Sequence, residues 1–65
     1  MPEAVALLEE AARQFRMYEE NHRRKVSHLK DPEAIADTVR KADTNAILAC
    51  RLELFVMEYR NSQVT

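Results

Sequence analysis

The sequence contains no glycine and no tryptophan, only two prolines, and a single cysteine among its 65 residues. Tight turns between strands rely on glycine, and disulfides and zinc sites need several cysteines or histidines at set spacings. With Cys50 alone, neither an internal disulfide nor a Cys/His zinc motif is possible. The residues that are abundant, Ala, Leu, Glu and Arg, favour helices. The composition therefore predicts an all-α protein.

Charge and hydropathy exclude several classes of partner. The formal net charge of −1 argues against a generally basic nucleic-acid binder, and duplex nucleic acid is disfavoured as a partner. No apolar run approaches the ~20 residues that cross a bilayer. The N-terminal MPEAVALLEE is acidic where a signal peptide is basic. We expect no membrane contact and a cytoplasmic location, with Cys50 reduced.

Two long helices joined by a short turn are predicted. Apolar residues recur at spacings of three and four over about residues 3–28, which is typical of one amphipathic helix. Asp31 followed by Pro32 suits the N-cap and first position of another helix. The turn is therefore placed at about 29–31 and the second helix at about 32–60. A continuous helix kinked at Pro32 is the alternative.

A short connection makes the two helices antiparallel neighbours, so residues 1–65 are predicted to form one helical-hairpin domain. Folding about residue 30 pairs residues whose numbers sum to roughly 61. That register places Phe15 near Ala46, and Tyr18 across from Asp43.

The second half of the second helix, AILACRLELFVMEY, is apolar on more than one face. A hairpin offers it only one partner helix, and a 65-residue chain has a marginal core of its own. We therefore expect hairpins to assemble into a homo-oligomeric helical bundle. The residues expected at the interface between copies are Ile47, Leu48, Leu52, Leu54, Phe55 and Met57.

A basic cluster surrounds the predicted turn; its members are Arg23, Arg24, Lys25, Lys30, Arg40 and Lys41. One interpretation is a solvated face that complements the helix dipole. The other is a site for an anionic small molecule, with an aromatic platform and convergent donors. The residues assigned to such a site are Tyr18, His22, Lys25, Lys41 and Asn45. For Asn45, a plain exposed polar side chain is the alternative.

Catalytic and metal chemistry find little support in the sequence. Glu19-x-x-His22 has the spacing of a helical ligand pair in di-iron carboxylate bundles, but the bridging carboxylates are incomplete. Cys50 lies in an apolar run, and Ser27 and Thr44 lack a base and an orienting group. We predict no catalytic residue, no metal ligand and no cofactor, and hence no enzyme.

Two short runs carry a resemblance to known proteins. Phe15-x-x-Tyr18-Glu19-x-x-His22-x-x-Lys25, followed by Lys41-Ala42-x-x-Asn45, resembles a group of very short bacteriophage and prophage proteins. The resemblance covers roughly residues 7–57 and implies a helical pair. Those proteins often have a glycine-containing turn soon after the lysine, whereas Val26-Ser27-His28 here is expected to extend the helix.

The resemblance also implies a phage origin, a location in the host cytoplasm and a non-enzymatic binding function. Two functions are compatible with it. The first is a homo-oligomer that sequesters an anionic, nucleotide-like ligand as a counter-defence. The alternative is a protein-interaction module that docks on a host protein and inhibits or redirects it.

Overall fold

The computed structural model describes residues 2–63, which form two helices and the segment that joins them. Helix α1 spans Pro2–Val26 and helix α2 spans Pro32–Gln63. The two helices pack against each other in a rod with extents of 52 × 16 × 12 Å. The predicted all-α helical pair is confirmed, and the non-helical segment at 27–31 excludes one continuous kinked helix.

The start of α2 follows the predicted capping chemistry. The Asp31 carboxylate accepts a hydrogen bond from the Glu33 amide at 3.3 Å, and the Asp31 carbonyl accepts one from the Ile35 amide at 2.9 Å. These two contacts make Asp31 the N-cap, and Pro32 at the first helical position has no amide hydrogen to leave unpaired.

The end of α1 differs from the prediction. The helix stops at Val26, so Ser27 and His28 form a turn instead of extending it. The His28 amide donates to the Lys25 carbonyl at 2.9 Å, and the Ser27 hydroxyl donates to the Arg24 carbonyl at 2.8 Å. The backbone bond from His28 reaches back three residues, the tighter spacing with which helices often finish, and the Ser27 side chain satisfies another carbonyl of the last turn. No described residue has a positive φ, so this turn needs no glycine.

The end of α2 also differs, because the helix runs through Gln63 and not only to about residue 60. Residues 61–63, beyond the predicted end, are helical, and residues 64–65 lie outside the described part of the chain.

The seam between the helices repeats every seven residues. Ala42, Ala49 and Val56 of α2 are buried, and so are Val5 and Ala12 of α1. A seven-residue repeat is the pattern of a coiled coil. Small side chains along this row allow the two helix axes to approach closely, since the interaxial distance depends on the side chains at the contact.

A second row of half-buried side chains completes the seam, again at seven-residue spacing. Its members are Leu8, Phe15 and His22 on α1, Leu29 in the connection, and Thr38, Asn45, Leu52 and Tyr59 on α2.

The register of the hairpin is one heptad away from the predicted one. Ion pairs join Arg16 to Glu53, Arg23 to Asp43 and Glu9 to Arg60, residues whose numbers sum to 69, 66 and 69. The expected sum of roughly 61 is therefore wrong. The connection is five non-helical residues, 27–31, and not a three-residue turn. A shift of about seven residues changes which residues lie directly opposite each other across the seam.

We predict that Ala49→Leu destabilises the hairpin by about 1–3 kcal/mol, because a larger side chain in a fully packed seam forces the helices apart. Ala49 is buried, whereas Ala36 on the same helix is exposed. Urea unfolding followed by circular dichroism measures the change, and Ala36→Leu is the matched control. Equal effects of the two substitutions would contradict the close approach at Ala49.

Candidate functional site

A recess of about 230 Å³ lies between the helices near the turn. Its lining residues are His22 from α1 and Asp37, Arg40, Lys41, Thr44 and Asn45 from α2. Three of the five residues assigned to an anion site, His22, Lys41 and Asn45, are thus brought together. A volume of this size suits a phosphate or a small carboxylate, since sites for drug-sized ligands start at about 300 Å³.

Polar contacts within this turn-end recess organise its donors. The Lys41 ammonium lies 3.3 Å from Asp37 Oδ2, and the Arg40 guanidinium lies 3.5 Å from Asp37 Oδ1. The Asn45 amide nitrogen donates to the Lys41 carbonyl at 2.8 Å, and the Thr44 hydroxyl donates to the Arg40 carbonyl at 3.0 Å. The recess therefore holds two cations beside one carboxylate, and an incoming anion has to compete with Asp37 for them.

The other two assigned residues do not line the recess. Tyr18 is 47% exposed, and its ring meets Phe15 edge to face, with the ring centroids 6.5 Å apart and an interplanar angle of 71°. Lys25 is exposed on the same helix, one heptad further on. Any role of Tyr18 as an aromatic platform therefore requires a ligand that extends well outside the recess.

A chain of charged contacts, which we call the ionic ladder, runs across the middle of the hairpin. Arg16 contacts Glu53 at 2.7 Å and Glu19 at 3.0 Å. Arg23 contacts Glu19 at 2.8 Å and Asp43 at 3.2 Å. Glu19 is the centre of the ladder, because both arginines bind it. It occupies the seam row between Ala12 and Val26, and its side chain is only 15% exposed.

The ladder changes the titration of its own members. Hydrogen bonds from Arg23, and then from Arg16, lower the pKa of the Glu19 carboxyl. The hydrogen bonds from Arg16 likewise lower the pKa of Glu53. A carboxylate in the seam remains charged because two guanidinium groups, one on each neighbouring turn of α1, bind it.

Sequence reasoning missed the ladder. Arg16, Glu19 and Arg23 stand at spacings of three and four, which is the pattern of helical ion pairs and could have indicated the α1 part. The contacts to Glu53 and Asp43 depend on the register, which the sequence pattern placed one heptad away.

The ladder and its neighbours lie on one side of the seam, which we call the ion-pair flank. Its residues are Glu9, Arg16 and Arg23 of α1 and Asp43, Glu53 and Arg60 of α2. A groove of about 520 Å³ follows this flank, with Ala12 and Val56 among its lining. Of the charged residues that line this groove, Arg16 is bound to Glu53, and Glu9 is bound to Arg60 beside it.

The other side of the seam, which we call the opposite flank, differs in character. On a helix, the residues one position before the members of the first seam row lie on one side of the seam, and the residues four positions after them lie on the other. The first set forms the opposite flank, and the second belongs to the ion-pair flank. The residues of the opposite flank are Ala11, Tyr18 and Lys25 of α1 and Lys41, Leu48 and Phe55 of α2. The turn-end recess lies at the polar end of this flank.

The residues assigned to an interface between copies divide into two groups. Leu52 belongs to the second seam row and is half-buried within the chain. The other five are exposed at the surface of α2: Ile47, Leu48, Leu54, Phe55 and Met57. Their role between copies stays a prediction.

The structure also shows the surroundings of Glu19 and Cys50, the residues weighed above for metal binding and for nucleophilic chemistry. The Glu19 carboxylate is bound by Arg16 and Arg23, and residues 2–63 contain no group of three or more His, Cys, Asp or Glu side chains suited to a metal ion. Cys50 is free and exposed. Neither helix, over its described length, is long and apolar enough to cross a membrane.

Comparison of the chain with protein-family models, with curated proteins and with solved structures finds no match. The resemblance to short phage proteins therefore stays a prediction.

We predict that the hairpin loses stability in acid through the ladder. Because Glu19 and Glu53 have lowered pKa values when folded, their contribution is present above the ordinary glutamate pKa of about 4.3. It is lost as the pH falls through their lowered values, since the unfolded chain then binds more protons. Urea unfolding midpoints measured from pH 7 to pH 3 follow this loss.

Glu19→Gln should flatten that pH dependence, because the ladder then lacks its central charge. Glu20→Gln is the matched control, as Glu20 is exposed and forms no ion pair with another described residue. An unchanged acid transition in Glu19→Gln would show that the ladder contributes nothing measurable.

Proposed function

We propose that this chain is a non-enzymatic binding protein that works as a self-associated assembly of helical hairpins. One observation carries the proposal: the large apolar side chains lie mostly on the outside of the hairpin. None of the described large side chains is fully buried, and the core consists of Val5, Ala12, Ala42, Ala49 and Val56.

The energetics of burial support self-association. A fully buried large apolar side chain contributes about 1.5–3 kcal/mol, whereas an exposed one contributes nothing to folding. Phe55 is 56% exposed, and Leu54 and Met57 beside it are also exposed. A small hairpin without a disulfide gains the burial it lacks by packing against another chain.

We predict that the melting temperature rises with protein concentration and that sedimentation equilibrium gives a mass above the 7.6 kDa of one chain. Both follow because association stabilises only the folded state. Phe55→Gln should reduce the concentration dependence, since it removes an exposed apolar anchor of α2.

Met17→Gln serves as the control, because Met17 is exposed to a similar degree but lies on α1, away from the predicted interface residues. A melting temperature independent of concentration, with a mass of one chain, would exclude self-association.

A second function, binding of a small anion at the turn-end recess, is favoured by the convergence of His22, Lys41 and Asn45. The neighbouring Arg40 adds a second cation. The volume of about 230 Å³ fits the phosphate group of a ligand but not a whole nucleotide. Under this proposal, sequestration of a nucleotide-like signal places only the phosphate between the helices.

We predict that inorganic phosphate causes saturable shifts of the His22 and Asn45 backbone amides in NMR titrations. Lys41→Gln should weaken the affinity by about 10-fold to 100-fold, the loss expected for one hydrogen bond to a charged group. Lys30→Gln is the control, because Lys30 is exposed and does not line the recess. Shifts that never saturate, or equal losses in both variants, would argue for nonspecific attraction.

The host-protein alternative uses the same exposed side chains of α2 in a different way. An interaction module would bury Leu54 and Phe55 against a host protein, and the phage origin would supply the context for inhibition or redirection. A chain that is monomeric but pairs with one host protein in defined stoichiometry would favour this alternative over self-association.

A further inference from the structure

The apolar pattern on each helix is wider than a two-helix seam requires. Besides the two seam rows, the opposite flank carries apolar side chains on both helices, Ala11 and Tyr18 on α1 and Leu48 and Phe55 on α2. A two-stranded coiled coil uses two apolar positions per heptad, whereas helices that face the core of a bundle use three. The third apolar row therefore indicates a further layer of helices.

The ion-pair flank does not offer the same surface. Glu9, Arg16 and Arg23 of α1 lie on it and are engaged across the seam, and Glu53 and Arg60 occupy its positions in the second half of α2. Only the opposite flank continues the apolar seam outward across both helices.

The hairpin exposes more surface than a compact chain of its mass, and the excess is close to the area that one partner buries in a protein–protein interface. Its accessible surface is 5181 Å², whereas a compact chain of this mass exposes about 4,300 Å², an excess of about 900 Å². Each partner of a standard protein–protein interface buries about 800 Å².

We infer that the opposite flank packs against the same flank of a second copy, in a twofold dimer that forms a four-helix bundle. This inference rests on the proposed self-association and specifies its face and symmetry. In the dimer, α2 lies antiparallel to α2 of the partner, and α1 lies antiparallel to α1 of the partner.

The charges of the flank select this orientation. A twofold axis along the helices would bring both turn ends together, and Lys25 and Lys41 of one copy would face the same cations of the other. Like charges facing each other across an interface oppose association. A twofold axis across the helices points the two turn ends in opposite directions and overlaps only the apolar halves of the flanks.

Arg51 and Glu58 fix the position of the axis. They stand seven residues apart at the outer edge of the apolar part of the flank, both exposed, and neither forms an ion pair with another described residue. In an antiparallel pair of α2 helices with the axis midway between them, Arg51 of each copy meets the partner's Glu58. The flank is then complementary to itself, as a twofold interface requires.

The same axis also brings apolar residues of the two α1 helices to the same level. The midpoint of Arg51 and Glu58 lies between residues 54 and 55, which the register of the ion pairs places opposite about residues 12–14 of α1. An axis there brings Leu7 of one copy to the level of the partner's Tyr18. Leu7 is 71% exposed within one chain, and the dimer gives both side chains an apolar neighbour.

Two double variants test the face. Leu48 and Phe55 lie on the opposite flank, while Ile47 and Leu54 lie on the far side of the Arg51–Glu58 row, and all four are between 37% and 56% exposed. Sedimentation equilibrium should show the intact protein as a dimer. Leu48→Gln with Phe55→Gln should raise the dissociation constant at least 100-fold, and Ile47→Gln with Leu54→Gln should change it less than fivefold. Circular dichroism confirms that each variant is helical.

A charge exchange tests the symmetry without touching the apolar face. Arg51→Glu alone sets two glutamates against each other twice per dimer, and Glu58→Arg alone does the same with two arginines. Each should raise the dissociation constant about fivefold to tenfold. The combined variant, R51E with E58R, should return it to within twofold of the original.

The outcomes separate the inference from the proposed function. A dimer that dissociates on changing Ile47 and Leu54, or whose combined charge variant does not recover, overturns this face or this symmetry while self-association stands. A chain that stays monomeric at all concentrations overturns both. Loss of association confined to Leu48 and Phe55, with recovery by the charge exchange, establishes the antiparallel dimer.

Discussion

The close approach of two helices along a row of small residues is the constraint on which the rest of this structure depends. Ala12, Ala42 and Ala49 let the helices meet, but alanine contributes little apolar area to a core. The larger side chains, such as Phe55, are left at the edges of the seam or outside it. The hairpin therefore has a defined fold with a small core, and large apolar side chains lie on its outer surface.

The two sides of the seam differ in what they contribute to the structure. On the ion-pair flank, the ladder centred on Glu19 ties α1 to α2 through Arg16 and Arg23 and sets the register by pairing specific residues. Exposed ion pairs each contribute little, roughly 0–1 kcal/mol, but several in a network select one alignment among heptad shifts that bury similar faces. The opposite flank has no such charges in its apolar half and is suited to further packing.

The sequence predicted the features that depend on local pattern, but not those that depend on the register between the two helices. The all-α class and the cap at Asp31 follow from composition, spacing and capping chemistry, and the structure confirms them. The register was one heptad away, because a seven-residue shift preserves the pattern of buried faces. Since the interhelical part of the ladder depends on the register, its contacts to Glu53 and Asp43 could not be predicted, whereas the convergence of His22 with Lys41 survived the shift.

The proposed assembly and the proposed ligand binding place opposite demands on Tyr18. In the inferred dimer its ring lies beside the partner's Leu7 and is not available as a platform for a base. The turn-end recess lies at the basic end of the same flank, around Lys41, beyond the part of α2 that overlaps in the inferred dimer. Under the proposed anion-binding function, a ligand held there would be recognised through its anionic group, by His22 and the cations of α2. The two proposed functions are compatible with each other because the flank is apolar at one end and basic at the other.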